Sequence, residues 1–116
     1  MAHRVNKIND ELKRVISSLV RTLKDPRVTE APMLSVCAVE AGSDLTFAKV
    51  YISVMGTEEQ TTQAITGLNA AGGYIRHELY KALKLRAIPQ LKFIPDKSIE
   101  YGAHINAVLK GLGDLN

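Results

Sequence analysis

Apolar residues recur at three- and four-residue steps from Val5 through Ile8, Leu12, Val15, Ile16, Leu19 and Val20 to Leu23. That spacing predicts an amphipathic helix with one face on a core. Lys7, Arg14 and Arg21 repeat every seven residues on the opposite side, so they line up toward solvent. Asp25-Pro26-Arg27 is predicted to stop this helix, because proline pushes the residue before it out of the α region. The pattern then changes period. Leu34 to Glu40 and Thr46 to Met55 are rich in β-branched and aromatic residues, and Ala41-Gly42-Ser43-Asp44-Leu45 between them has the length and glycine of a hairpin loop. In the second strand Ala48, Val50, Ile52 and Val54 alternate with Phe47, Lys49, Tyr51 and Ser53, and the aliphatic set is assigned to the core.

A long helical pattern follows from Thr57 to Leu85, opened by a capping box, Thr57 to Gln60, with Glu58 and Glu59 in its first turn. It is broken at Ala71-Gly72-Gly73. A glycine inside a helix costs roughly 1 kcal/mol relative to alanine, so two in succession predict two helices meeting at a corner. Main chain without side chains, next to the opening N–H groups of a helix near Tyr74 to Arg76, lets a phosphate come close. The competing reading is structural: the pair simply lets two helices pack tightly on the sheet. The corner itself predicts that Gly73→Val, which adds a branched side chain where the backbone must turn, bends it wrongly. Ile75, Leu79, Ala82 and Leu83 are predicted as the inner face of the second helix, with Arg76, Tyr80 and Lys84 outside and His77 and Lys81 beside them. Gln90 to Ile94 reads as a third strand, and Ile105, Val108, Leu109 and Leu112 as the inner face of a short last helix.

Charge sharpens this picture more by its distribution than by its sum of +3. Residues 1–27 and 76–97 each carry a net +4, whereas 28–75 carry −4. Folded side by side, the two basic segments give one face a positive potential suited to nucleic acid. The 116 residues suit one domain, 1–116. One cysteine, Cys37, makes neither a disulfide nor a metal site, and is read as a small buried strand residue. His3, His77 and His104 lack ligand spacing, so no metal or other cofactor is expected. No apolar run reaches membrane length and the N-terminus has no secretory pattern, which predicts a cytoplasmic protein with no membrane partner. Paired acid and base, an activated nucleophile and a nucleotide-binding glycine loop are all missing at usable spacing, so no enzyme and no small-molecule substrate are expected.

The order of elements and the residues at their joints resemble the ribosome-binding factor A family. The matching stretches are Arg4-Val5, Leu23-Lys24-Asp25-Pro26-Arg27, Asp44-Leu45 with Ala48-Lys49-Val50-Tyr51, and Ala71-Gly72-Gly73-Tyr74-Ile75-Arg76. Leu85-Arg86 with Pro89-Gln90-Leu91-Lys92-Phe93, and Asp96-Lys97-Ser98-Ile99-Glu100-Tyr101-Gly102, complete the set over residues 4 to about 109. The resemblance implies an α+β, type II KH-like fold, with an Ala-x-Gly kink in place of the usual glycine loop. It also implies a non-enzymatic factor that associates with free 30S subunits and 16S rRNA near its 5′-terminal helix. Such factors assist late maturation and rRNA processing and are linked to growth in the cold. Any role of the long charged C-terminal tail that some relatives carry is not expected to transfer to this sequence. RNA contacts are assigned to Ala71, Gly72, Gly73, Arg76, Lys81, Lys84 and Arg86, extended by Lys49, Lys7, Arg14 and Arg21. Tyr74, Tyr80, Phe47 and Tyr51 are candidates for base stacking. A monomer is expected. The alternative is a KH-like adaptor that binds protein without touching RNA, and its binding would respond less to salt.

Overall fold

Alternation along β2 (Phe47–Ser53) fixes which way the sheet faces: Ala48, Val50 and Ile52 are fully buried, while Phe47 and Lys49 are exposed. The computed structural model describes residues 2–42, 44–84 and 88–96, with side chains from Lys7 onward. Its elements are α1 (Ala2–Val20), α2 (Pro26–Thr29), β1 (Ser35–Ala41), β2, α3 (Glu58–Ala70), α4 (Gly72–Ala82) and β3 (Gln90–Pro95). The predicted C-terminal helix lies outside the described residues, and so does Arg86.

The sheet has the order β1-β2-β3, with β1 and β2 antiparallel and β2 and β3 parallel. A parallel neighbour cannot be reached through a tight turn, so α3 and α4 form the crossover. Leu12, Val15, Ile16 and Val20 of α1 pack with Val36, Val39 and Ala41 of β1, the buried set of β2, Leu68, Ile75, Leu79 and Phe93 into one core. The predicted stripe of α1 is therefore the buried one, with Ile8, Leu19 and Leu23 at its margin. Ala82 is exposed and Leu83 half-buried, because α4 ends there and the chain turns extended.

Three local features depart from the sequence reading. Asp25-Pro26-Arg27 does not merely end α1, which stops at Val20. Asp25 caps a new four-residue helix, accepting from the Arg27 N–H at 2.9 Å, with Pro26 at the first helical position where its fixed φ and missing N–H cost nothing. The Arg27 guanidinium folds back on the same carboxylate at 2.7 Å and holds Asp25 below the usual carboxylate range. In β1 the register shifts between Val36 and Ala38, a bulge that lets Val36, Val39 and Ala41 all face the core. Cys37 sits at that bulge only half-buried, and partial burial pushes its thiol up. Finally, among the described residues of the β1–β2 loop the left-handed one is Leu45 (φ 58°), a position the sequence reading did not single out.

Two asparagines fasten helices to strands. Asn9 Oδ1 accepts from the Ala41 N–H at 2.9 Å. Asn69 on α3 takes both polar groups of the Phe93 main chain: its Nδ2 donates to the carbonyl at 3.1 Å and its Oδ1 accepts from the N–H at 2.9 Å. An edge strand would otherwise leave those groups to water or to another chain.

Candidate nucleic-acid interface

Ala71 is both the last cap of α3 and the first of α4, with φ −88° and ψ 3°, and its N–H is shared between the carbonyls of Gly67 and Leu68 at 3.1 Å each. Lacking a polar side chain, it offers no acceptor to the opening turn of α4. Gly72 and Gly73 then begin the new helix. Neither has a positive φ, and a Cβ built on either would meet nothing within 4 Å. Gly72 is half-buried and Gly73 exposed. Among the described residues the tight-packing explanation therefore has no contact to rest on at either position, and a Cβ at Gly73 meets no clash that would misdirect the corner. Within this pair of helices the packed glycine is Gly67, which the sequence reading did not single out. Its Cβ would lie 2.9 Å from Val28 Cγ2 and 3.2 Å from Arg27 Cβ.

Beside the bare corner is a cleft of about 440 Å³ lined by Gly73, Arg76, His77, Tyr80 and Ile88. Arg76 is exposed, and its Nε donates to the Ile88 carbonyl at 3.0 Å. One of five guanidinium N–H groups is thereby used to orient the other four. Tyr80, 62% exposed, and Tyr74, 50% exposed, lie on the solvent side of α4, so neither ring is core. Lys81 is exposed but partly neutralised by Glu78 at 3.7 Å.

The two basic segments do come together. α1 packs alongside α4, and Lys7, Ile8 and Glu11 line one depression of about 250 Å³ with Leu83 and Lys84. Arg14 continues along α1, paired with Glu11 at 3.0 Å. Arg21 is exposed in the turn just past the end of α1, so the helical line of three ends after Arg14. Lys49 joins none of these groups: its neighbours Ala48 and Val50 point into the core, so its side chain leaves the sheet on the face turned from the helices.

Sequence reasoning left out His77 as a cleft residue, the carboxylates of Glu78 and Glu11 that temper the basic face, and Lys92. The two acids were detectable from their i,i+3 spacing to Lys81 and Arg14. Lys92 was not, because its place beside Lys49 depends on a strand register set by the α3–α4 crossover. Among the described residues no group of three His, Cys, Asp or Glu side chains is placed to hold a metal ion, and no helix is long and apolar enough to cross a membrane.

An α-α-β-β-α-α-β order, a three-stranded sheet covered by helices on one face and a kink in place of a glycine loop define an α+β protein with the type II KH-like fold. A family model for ribosome-binding factor A matches residues 4–109, and the chain belongs to that family. It is 42% identical over 113 residues to ribosome-binding factor A of Caldanaerobacter subterraneus subsp. tengcongensis, covering 97% of this chain and 91% of that protein. Its fold is similar to the crystal structure of ribosome-binding factor A from Thermus thermophilus, with a TM-score of 0.71 at 26% identity over 81% of this chain and 97% of the other. It is also similar to a homology model of the Thermus thermophilus factor fitted into a cryo-EM map of a complex of that factor with 30S, with a TM-score of 0.63 at 28% identity over 77% and 91% of the two chains.

Proposed function

We propose that this protein binds the free 30S ribosomal subunit through 16S rRNA and assists its late maturation, as a non-enzymatic cytoplasmic monomer formed by a single domain, 1–116. The observation that carries the reading is the bare main chain at Gly72 and Gly73, where an added Cβ would meet nothing within 4 Å and Arg76 stands alongside. Nothing in the described fold needs glycine there, whereas a phosphate approaching a helix opening does. Ala71, Gly72, Gly73 and Arg76 form the close-approach element, with Lys81, Lys84, Lys7 and Arg14 supplying longer-range attraction, Arg21 at one end, and Arg86, outside the described residues, proposed as a further contact. The complex in which the Thermus thermophilus factor was placed supports the same partner here. The 5′-terminal helix region of 16S rRNA, rRNA processing and growth in the cold are the finer parts of this proposal.

The test is co-sedimentation of the K7E/K84E variant with purified 30S subunits. Both positions are exposed and make no ion pair among the described residues, so the variant keeps its melting temperature. Loss of binding supports the proposed face, and unchanged co-sedimentation refutes it. The protein-binding alternative draws its support from Met33 and Met55, exposed on adjoining loops. A subunit affinity insensitive to salt would favour that alternative, because phosphate contacts weaken steeply as salt rises.

A further inference from the structure

The face of the sheet turned from the helices carries a row of three charges, one acid and two cations. Register places Glu40 beside Lys49 and Lys49 beside Lys92. Neighbouring strands run about 4.8 Å apart, so two ammonium groups rise from adjacent main-chain positions. Like charges directly opposite each other on neighbouring strands are destabilising. Both lysines are exposed, and among the described residues neither has a carboxylate within ion-pair distance. Glu40 instead accepts from the Tyr51 hydroxyl at 3.4 Å. An anion seated between the two lysines would turn this repulsion into attraction.

Aromatic rings frame the same spot. Phe47, 41% exposed, and Tyr51, half-buried, flank Lys49 two residues away on either side, each about 6.6 Å along the strand. Gln90 lies beside Phe47 and Ile94 beside Tyr51 in β3. Rings interleaved with cations on an open surface suit a chain whose bases stack while its phosphates pair with charge.

We propose that the outer sheet face is a second RNA surface, which takes a single-stranded segment with a phosphate between Lys49 and Lys92 and bases on Phe47 and Tyr51. The proposal rests on reading the protein as an RNA binder, but it uses the side of the molecule away from Gly72 and Gly73. The two faces therefore hold different RNA segments. A single strand is required because bases inside a duplex are already stacked and cannot reach the rings.

Fluorescence anisotropy of a short labelled oligouridylate, titrated at several salt concentrations, tests this. K49Q/K92Q is expected to weaken binding and to lower the slope of log affinity against log salt by about 0.7, the value for the one phosphate contact the two lysines share on a single strand. F47A is expected to weaken binding about tenfold with the slope unchanged. Each variant is first shown to melt no lower than wild type. The proposal is overturned if wild type fails to bind the oligouridylate, if both variants match wild type, or if a labelled RNA duplex binds as well as the single strand. It is also overturned if the variants lose 30S subunits while binding the oligouridylate normally, which would make this face a protein contact. K7E/K84E separates the two readings. If it alone loses subunits and oligouridylate, the sheet proposal falls and the helix face stands; if only the sheet variants change oligouridylate binding and K7E/K84E retains subunits, the reverse holds.

Discussion

Gly67 and the pair Gly72-Gly73 lie within seven residues of each other and answer to different demands. Gly67 is buried, and a methyl group there would press on Val28 at 2.9 Å, so α2 sits on α3 only because that Cβ is missing. Around Gly72 and Gly73 the same methyl group meets nothing within 4 Å. One glycine is thus required by the inside of the protein. For the other two, the requirement has to come from outside, since an open helical position otherwise favours alanine.

The strongest way to break this contrast is at Gly67. Gly67→Ala should destabilise by about 1–3 kcal/mol through overpacking, read as a lower midpoint in urea unfolding. Adding Val28→Ala should recover part of the loss, because it removes the closest atom; an additive double mutant would break the packing explanation. Next in size is binding at the open corner. Gly73→Glu should keep its fold but lose tenfold or more in 30S affinity, about 1.4 kcal/mol, since it places bulk and negative charge where a phosphate is proposed to approach. Wild-type co-sedimentation of that variant would leave the open corner unexplained. Smaller still, Gly72→Ala or Gly73→Ala should leave thermal stability unchanged or raise it by about 0.4–1 kcal/mol, through a less flexible unfolded chain. A loss of stability in either would return these glycines to the class of Gly67.

The smallest effect concerns the segment that Gly67 receives. Arg27, by hydrogen bond and charge, holds the Asp25 carboxyl below the usual carboxylate range. A depressed value in the folded state means that Asp25 stabilises fully at and above the ordinary carboxylate range and loses this contribution only as pH falls below it. Asp25→Asn should keep the cap and flatten that part of the acid dependence of the unfolding midpoint. An acid limb identical to wild type would remove Asp25 as a contributor.

Much of this architecture could be read directly from residue order, since it depends on near neighbours along the chain. The stripe Leu12, Val15, Ile16 and Val20, the capping box at Thr57 and Gln60, and the alternation of β2 all express local periodicity. What escaped depends on contacts between distant segments. The bulge between Val36 and Ala38 reconciles β1 with a core that its own alternation does not reveal, and the Gly67 contact needs α2, which reads simply as a stop. The site divides in the same way. Two glycines place the corner, but only the folded structure distinguishes packed from open; alternation already turns Lys49 from the helices, and only the strand register brings Lys92 beside it.

The parallel pairing of β2 with β3 also has a consequence during synthesis. When Ser53 leaves the ribosome, the hairpin and the first helix can already associate, yet one side of β2 has no partner until residues 90–95 follow. For that interval the nascent chain carries a naked ladder of main-chain donors and acceptors, the kind of edge on which two growing polypeptides can mispair. The crossover helices between Thr57 and Ala82 must be made before that partner strand can arrive, so the length of this segment sets how long the edge stays bare.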